Sequence, residues 1–288
     1  MTTPTDSSPV GGIPLSPRVI LHVTGEDRVR FLNGQVTNDV RNIPEGACLY
    51  AAVLNAKGKL DSVCHIRATV DGFLIDAHPS RQDSLLARLD RYLIADEVTL
   101  SDVSDQWHLT HLLGIPADDP RLCLPSGTLV HENDRYGCPG LDLLSPSALD
   151  IPEDLLIGDD ALESFRISQG VPAWPSELTP GLLAPEAGLD QNAISYEKGC
   201  YLGQEVISRV KRAGKTNRHL VLLEVPAHSA LTPFLNDDQP AGEITSVSTA
   251  SIGNTALALG FRSRKFETNA EFQLPDGKGS VKVLRRLA

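Results

Sequence analysis

Among five cysteines, Cys200 stands in the most unusual surroundings. It lies in Glu-Lys-Gly-Cys-Tyr-Leu-Gly-Gln-Glu-Val-Ile-Ser-Arg, residues 197–209. Gly199 and Gly203 bracket it and permit tight backbone geometry around a thiol. Lys198, Arg209, Lys211 and Arg212 lie close in sequence, and cationic neighbours favour thiolate over thiol. A thiolate can serve as nucleophile, redox group or soft-metal ligand; the alternative is a small buried cysteine in a turn. From Arg209 to Arg218 the chain carries five basic residues and no acidic one. Such a run suits capture of a carboxylate-bearing ligand, or it is a solvated linker.

Other chemistry-bearing residues offer less. His108 and His111 fall in an alternating, strand-like stretch and so face opposite sides, which argues against a metal pair. His22, His65 and His78 lack a partner at ligand spacing and read as structural; no metal site is expected. Neither GxGxxG nor GxxxxGK[ST] occurs, so there is no case for a dinucleotide or P-loop site. Cys48, Cys64, Cys123, Cys138 and Cys200 contain no CxxC pair, which fits reduced thiols in a cytoplasmic setting rather than a disulfide scaffold. The formal charge of -11 over 288 residues argues against general attraction to nucleic acid or an anionic membrane. No apolar run reaches the ~20 residues of a membrane span. A monomer is expected.

The elements that must position these residues read as mixed α+β. Residues 1–17, rich in Thr, Ser, Pro and Gly, read as a flexible tail without the features of a secretory signal. Residues 18–23 read as a strand, followed by a helix with Thr24 and Asp27 as a capping pair and Val29, Leu32 and Val36 at helical spacing. Strands at 49–55, 60–70 and 73–77 enclose a Lys57-Gly58-Lys59 turn and an Asp71-Gly72 hairpin. A helix capped by Ser80 and Asp83 and a strand at 97–103 complete a compact unit over 49–103. Strands at 107–114 and 128–131, a helix at 159–168 and an ordered irregular stretch over 170–193 follow. From about residue 212 the β-rich pieces read as a separate small barrel.

The string KGCYLGQE resembles the signature of the YgfZ family, folate-binding proteins linked to iron–sulfur protein maintenance. Further stretches resemble the wider superfamily of the glycine-cleavage T-protein, an aminomethyltransferase. These are RFLNGQVTNDV (30–40), LNAKGKLDSV (54–63), FRISQGVP (165–172), AGEITSV (241–247) and TALALGF (255–261). The resemblance implies a three-domain ring with a ferredoxin-like subdomain (49–103), a discontinuous folate-binding domain (18–48 and 104–211) and a C-terminal β-barrel (212–288). It implies tetrahydrofolate, or a one-carbon derivative, as cofactor, with iron–sulfur proteins or their assembly machinery as partners. Gly140-Leu141-Asp142 matches the place of the T-protein's pterin-reading carboxylate, with Asp for Glu. Asn55, Arg166, Lys198, Tyr201, Gln204 and Arg209 are the further expected folate-site residues. Where the T-protein has paired aspartates, this chain has Asp61-Ser62, so Asp61 is the candidate acid–base group. That departure, with Cys200, favours a folate-binding maintenance factor over an aminomethyl transferase; an accessory role in tRNA modification is a third reading.

Overall fold

A computed structural model describes residues 8–277 and 279–288. Strands β1 (Gly11–Pro14) and β2 (Val19–Thr24) precede helix α1 (Arg28–Gln35). Strands β3 (Leu49–Leu54), β4 (Leu60–Ala68) and β5 (Gly72–Ala77) lead to α2 (Gln82–Asp90) and β6 (Thr99–Asp102). Next come β7 (His108–Leu113), β8 (Leu129–Glu132), β9 (Gly140–Ser145), α3 (Asp159–Gln169) and α4 (Gln204–Ala213). The remainder is β10 (Arg218–Pro226), β11 (Pro233–Asn236), β12 (Gln239–Ile252), β13 (Thr255–Ser263), β14 (Glu271–Gln273) and β15 (Ser280–Arg286).

These strands make three sheets: β3-β4-β5-β2-β6, β1-β7-β9-β8, and a closed barrel β10-β13-β12-β11-β14-β15. Strand periodicity explains how the barrel joins the rest. Val221, Leu223 and Val225 alternate into its interior, whereas Leu220 and Leu222 point outward and pack with Ile167, Leu178 and Ala193. In the five-stranded sheet, Ala51, Val53, Cys64 and Ile66 face α1 and α2, while Tyr50, Ala52 and Val63 face the segment after α3. Strand β2 pairs with β5 and β6, so the stretch 18–48 contributes a strand to this sheet.

Three local expectations are corrected. Of the expected tail, residues 1–7 lie outside the described residues, but Gly11–Pro14 pairs with β7 in the register Gly11↔Leu113. The glycines that suggested flexibility permit this docking: Gly11 has φ +154°, and the Leu155 carbonyl occupies the place its Cβ would take. Thr24 does not cap α1; Asp27 is the N-cap residue, and its carboxylate accepts from the Glu97 amide at 2.9 Å. Asp83 does not pair with Ser80 at the start of α2. A single 3₁₀ turn comes first, and the His78 ring accepts from the Ser80 amide at 3.2 Å. No helix among the described residues is long and apolar enough to cross a membrane.

Candidate functional site

The three sheets enclose a central cavity of about 1080 Å³. Tyr50, Val63 and His65 line it from the five-stranded sheet, Asn133 to Tyr136 from the loop after β8, and Trp174 from the irregular segment. Val63 and His65 are two apart on β4, so the pleat turns both the same way. The Tyr50 and His65 rings stack at 4.7 Å with planes 30° apart. Trp174 is held by its indole N–H, which donates to Ser80 Oγ at 3.0 Å. Arg18, Arg135, Arg166, Arg285 and Arg286 also border the cavity.

The floor is a buried charge cluster. Asp76 accepts through Oδ1 from Arg18 Nη2 at 2.7 Å, and through Oδ2 from Arg67 Nη1 at 2.7 Å and Arg135 Nη2 at 2.6 Å. Asp142 accepts from Arg67 Nη2, from Arg135 Nε at 2.8 Å and from Asn133 Nδ2 at 2.7 Å, and its Oδ1 lies 2.8 Å from His111 Nδ1. Arg67, Asp76 and Asp142 have fully buried side chains. Burial alone would raise both carboxyls, yet Arg135 and Arg67 hold them well below the usual carboxylate range. Burial, reinforced by Arg135, keeps His65 well below its ordinary value, so its neutral ring can accept from Asn133 Nδ2 at 3.0 Å. Cys48 also lines the cavity, and burial pushes its thiol up to about 12.

Asp142, the residue expected to read the pterin, is part of this cluster. It does not line the cavity, and its oxygens are occupied by Arg67, Arg135, His111 and Asn133. Arg166 does border the cavity, but its guanidinium is committed to the protein. Nε donates to Glu163, Nη1 to Glu177 and the Val171 carbonyl, and Nη2 to Ser246 of β12. It ties α3 to the barrel rather than offering free donors.

The other expected site residues gather elsewhere. The pairing of β3 with β4 shifts register at Val53/Leu54, so Leu54 faces Leu60 while Val53 faces Ser62. That bulge turns Asp61 out of the cavity-facing row. Its Oδ2 lies 3.6 Å from Arg88 Nε of α2, and Oδ1 accepts from Asn55 Nδ2 at 3.5 Å. Asn55 Oδ1 accepts from the Lys57 and Lys59 amides and shapes the turn. Neither Asn55 nor Asp61 lines the cavity.

The same turn supports the thiol segment. Gly203 has φ +84°, and a Cβ there would lie 2.7 Å from the Asn55 carbonyl oxygen, so this close approach needs glycine. Gly199 has open space where a Cβ would stand, so no close approach there requires glycine. The Leu202 amide donates to the Gly34 carbonyl at 3.1 Å. Cys200 itself is exposed and lies off the cavity wall. Lys198 does not serve the thiol: its Nζ donates to the carbonyls of Asn33, Val36 and Asn38 at 2.6, 2.9 and 2.7 Å. It thus closes the C-terminal end of α1, whose last carbonyls need donors. Burial draws its ammonium down to about 8, opposed by Asp39. Tyr201 is buried in the core. Gln204 opens α4, where Arg209 is exposed; both border a shallow surface recess away from the cavity.

Arg18, Arg67, Asp76 and Arg135 were not singled out from sequence. They come from separate segments, and only strand pairing brings them together.

Comparison with known proteins agrees with this architecture. Residues 8–119 match the family model of the GCVT N-terminal domain. The structure resembles the glycine cleavage system aminomethyltransferase T from Bartonella henselae with a TM-score of 0.76 at 16% identity, over 96% of this chain and 86% of that one. The chain thus has the fold of that protein and resembles the GCVT superfamily in its N-terminal part. Its similarity to tRNA-modifying proteins YgfZ is 28% identity for Hamiltonella defensa, over 76% of this chain and 71% of that protein. For Escherichia coli O7:K1 it is 28%, over 70% and 68%. A putative chloroplastic transferase of Arabidopsis thaliana is 27% identical over 84% of this chain, which spans only 62% of that protein's length. Together these similarities support a YgfZ-type protein of that superfamily.

Proposed function

We propose that the chain binds a reduced folate in the central cavity and supports iron–sulfur proteins and tRNA modification, with Cys200 acting outside the cavity. The observation that carries this reading is the cavity itself. Its volume is of the order that encloses an organic cofactor, roughly 300–1,000 Å³. The Tyr50–His65 stack and Trp174 offer flat surfaces for the pteridine and benzoyl rings. The bordering guanidiniums suit the glutamate carboxylates. When bound, the folate would supply a one-carbon carrier or a regulatory signal; the protein's part is to orient it and exclude water. The tRNA element comes from the name of the bacterial relatives.

Titration calorimetry with tetrahydrofolate, alongside Trp174 fluorescence, tests the reading; absence of both heat and fluorescence change would sink it. Cys200→Ala is expected to bind folate like the wild type yet fail to restore iron–sulfur enzyme activity in a deletion strain. Full restoration would remove Cys200 from the function. Folate-dependent aminomethyl transfer through Asp61 is the weaker reading, because that carboxylate faces Arg88 rather than the cavity.

A further inference from the structure

The charge cluster under the cavity contains three guanidiniums, Arg18, Arg67 and Arg135, and two carboxylates, Asp76 and Asp142. A surplus positive charge away from water is costly unless it is paired and hydrogen-bonded. Arg67 lies wholly inside, whereas Arg18 and Arg135 both border the cavity. Arg18 uses Nε and Nη2 on Asp76, and Arg135 uses Nε and Nη2 on Asp142 and Asp76. In each case Nη1 has no partner among the described residues, although the Arg135 side chain is only 6% exposed. Glu132 and Asp134 border the same cavity but form no ion pair with either arginine. The two forks grip opposite oxygens of Asp76, Oδ1 and Oδ2, so they are held side by side before any ligand arrives.

We propose that the Nη1 groups of Arg18 and Arg135 form an oxyanion subsite in the cavity floor that takes a carboxylate or phosphate group of the ligand. Two pre-oriented guanidiniums lose little freedom on binding and give charge-assisted hydrogen bonds. The subsite deepens the folate reading and rests on the cavity being the ligand site. It places the ligand's anionic end beside Asp142, where the T-protein resemblance implied the aminopyrimidine edge. The other bordering arginines are poorer candidates. Arg166 and Arg286 are committed to protein partners, and Arg285 is exposed at the rim.

The test titrates the full chain with inorganic phosphate and, separately, with glutarate, by calorimetry and thermal shift at ionic strength held constant with chloride. Saturable binding by wild type is expected for at least one probe, and the probe that binds identifies the oxyanion. Arg18→Gln should weaken it by about tenfold or more, and Arg18→Lys, which keeps charge but not the fork, by less. Lys265→Gln on the barrel surface should leave it unchanged. Absence of saturable binding in wild type, or wild-type affinity in both Arg18 variants, overturns the subsite. Near-UV circular dichroism establishes that each variant is folded; if Arg18→Gln is not, Arg18→Lys decides by the same criterion. A competition arm separates this proposal from the folate reading. Saturable anion binding without tetrahydrofolate binding refutes the folate reading and leaves the subsite standing. Tetrahydrofolate binding that displaces the anion and weakens in Arg18→Lys supports both. Tetrahydrofolate binding indifferent to both anion and variant refutes the anionic-end placement.

Discussion

Around the cavity floor, charged side chains are fixed by one another; on the thiol segment, side chains and turns are fixed by main-chain carbonyls. Arg18, Arg67, Arg135, Asp76 and Asp142 share their hydrogen bonds in a nearly dry cluster, so each depends on the rest. The thiol segment is anchored by Lys198 on the end of α1 and by Gly203 against the Asn55 turn, which leaves Cys200 at the surface. A buried ionic cluster makes a rigid receptor. A backbone-anchored loop presents one exposed thiol outward. The proposed function assigns the cavity to a small molecule and the thiol to a separate role outside it.

The largest break in this contrast should come from Asp76→Ala. It leaves three guanidiniums facing one carboxylate, and loss of one partner from a buried pair costs about 3–5 kcal/mol. Urea unfolding should show a loss of unfolding free energy of that size, and a loss under about 1 kcal/mol would mean the cluster is wetter than its burial implies.

Next in size is Lys198→Met, which orphans the carbonyls of Asn33, Val36 and Asn38 at and beyond the end of α1; about 1–3 kcal/mol is expected to be lost at pH 7. Its pH dependence has a definite sign. The native ammonium titrates near 8, below its ordinary value of 10.5, so between these limits the unfolded chain binds more protons. Wild-type stability should therefore rise across that window relative to Lys198→Met. A falling difference in thermal unfolding from pH 8 to 10 would contradict this.

Gly203→Ala meets both positive φ and the Asn55 carbonyl, so a loss of about 1–3 kcal/mol is expected. Gly199→Ala, in open space, should be close to neutral. Equal effects at the two glycines would remove the distinction between them. The smallest effect belongs to Cys200→Ala: stability within about 0.5 kcal/mol of wild type, as for an exposed side chain, with tetrahydrofolate affinity unchanged. A folate defect in that variant would bring thiol and cavity back together.

Local pattern made much of the fold legible. The alternation in HLVLLEVP marked a barrel strand, the Asp71-Gly72 hairpin joined β4 to β5, and the helix over 159–168 lies where the spacing placed it. The barrel closes as expected. Less legible were features that depend on a partner far along the chain. Gly11-Gly12 looked flexible because its register partner is at residues 112–113. Asp61 was expected as an acid–base group from the T-protein resemblance alone, and the bulge that turns it toward Arg88 is not revealed by single-sequence periodicity.

The site divides along the same line. The sequence by itself determined the barrel, the short strands and the KGCYLGQE segment, since near-neighbour spacing and backbone requirements are written locally. Tertiary structure alone decided that Lys198 serves α1 from some 160 residues away, that Asp142 is neutralised within, and that Arg18 and Arg135 reach the cavity side by side. The reason is physical: an isolated charge reads as solvated at any position, and only folding shows which charges water leaves behind.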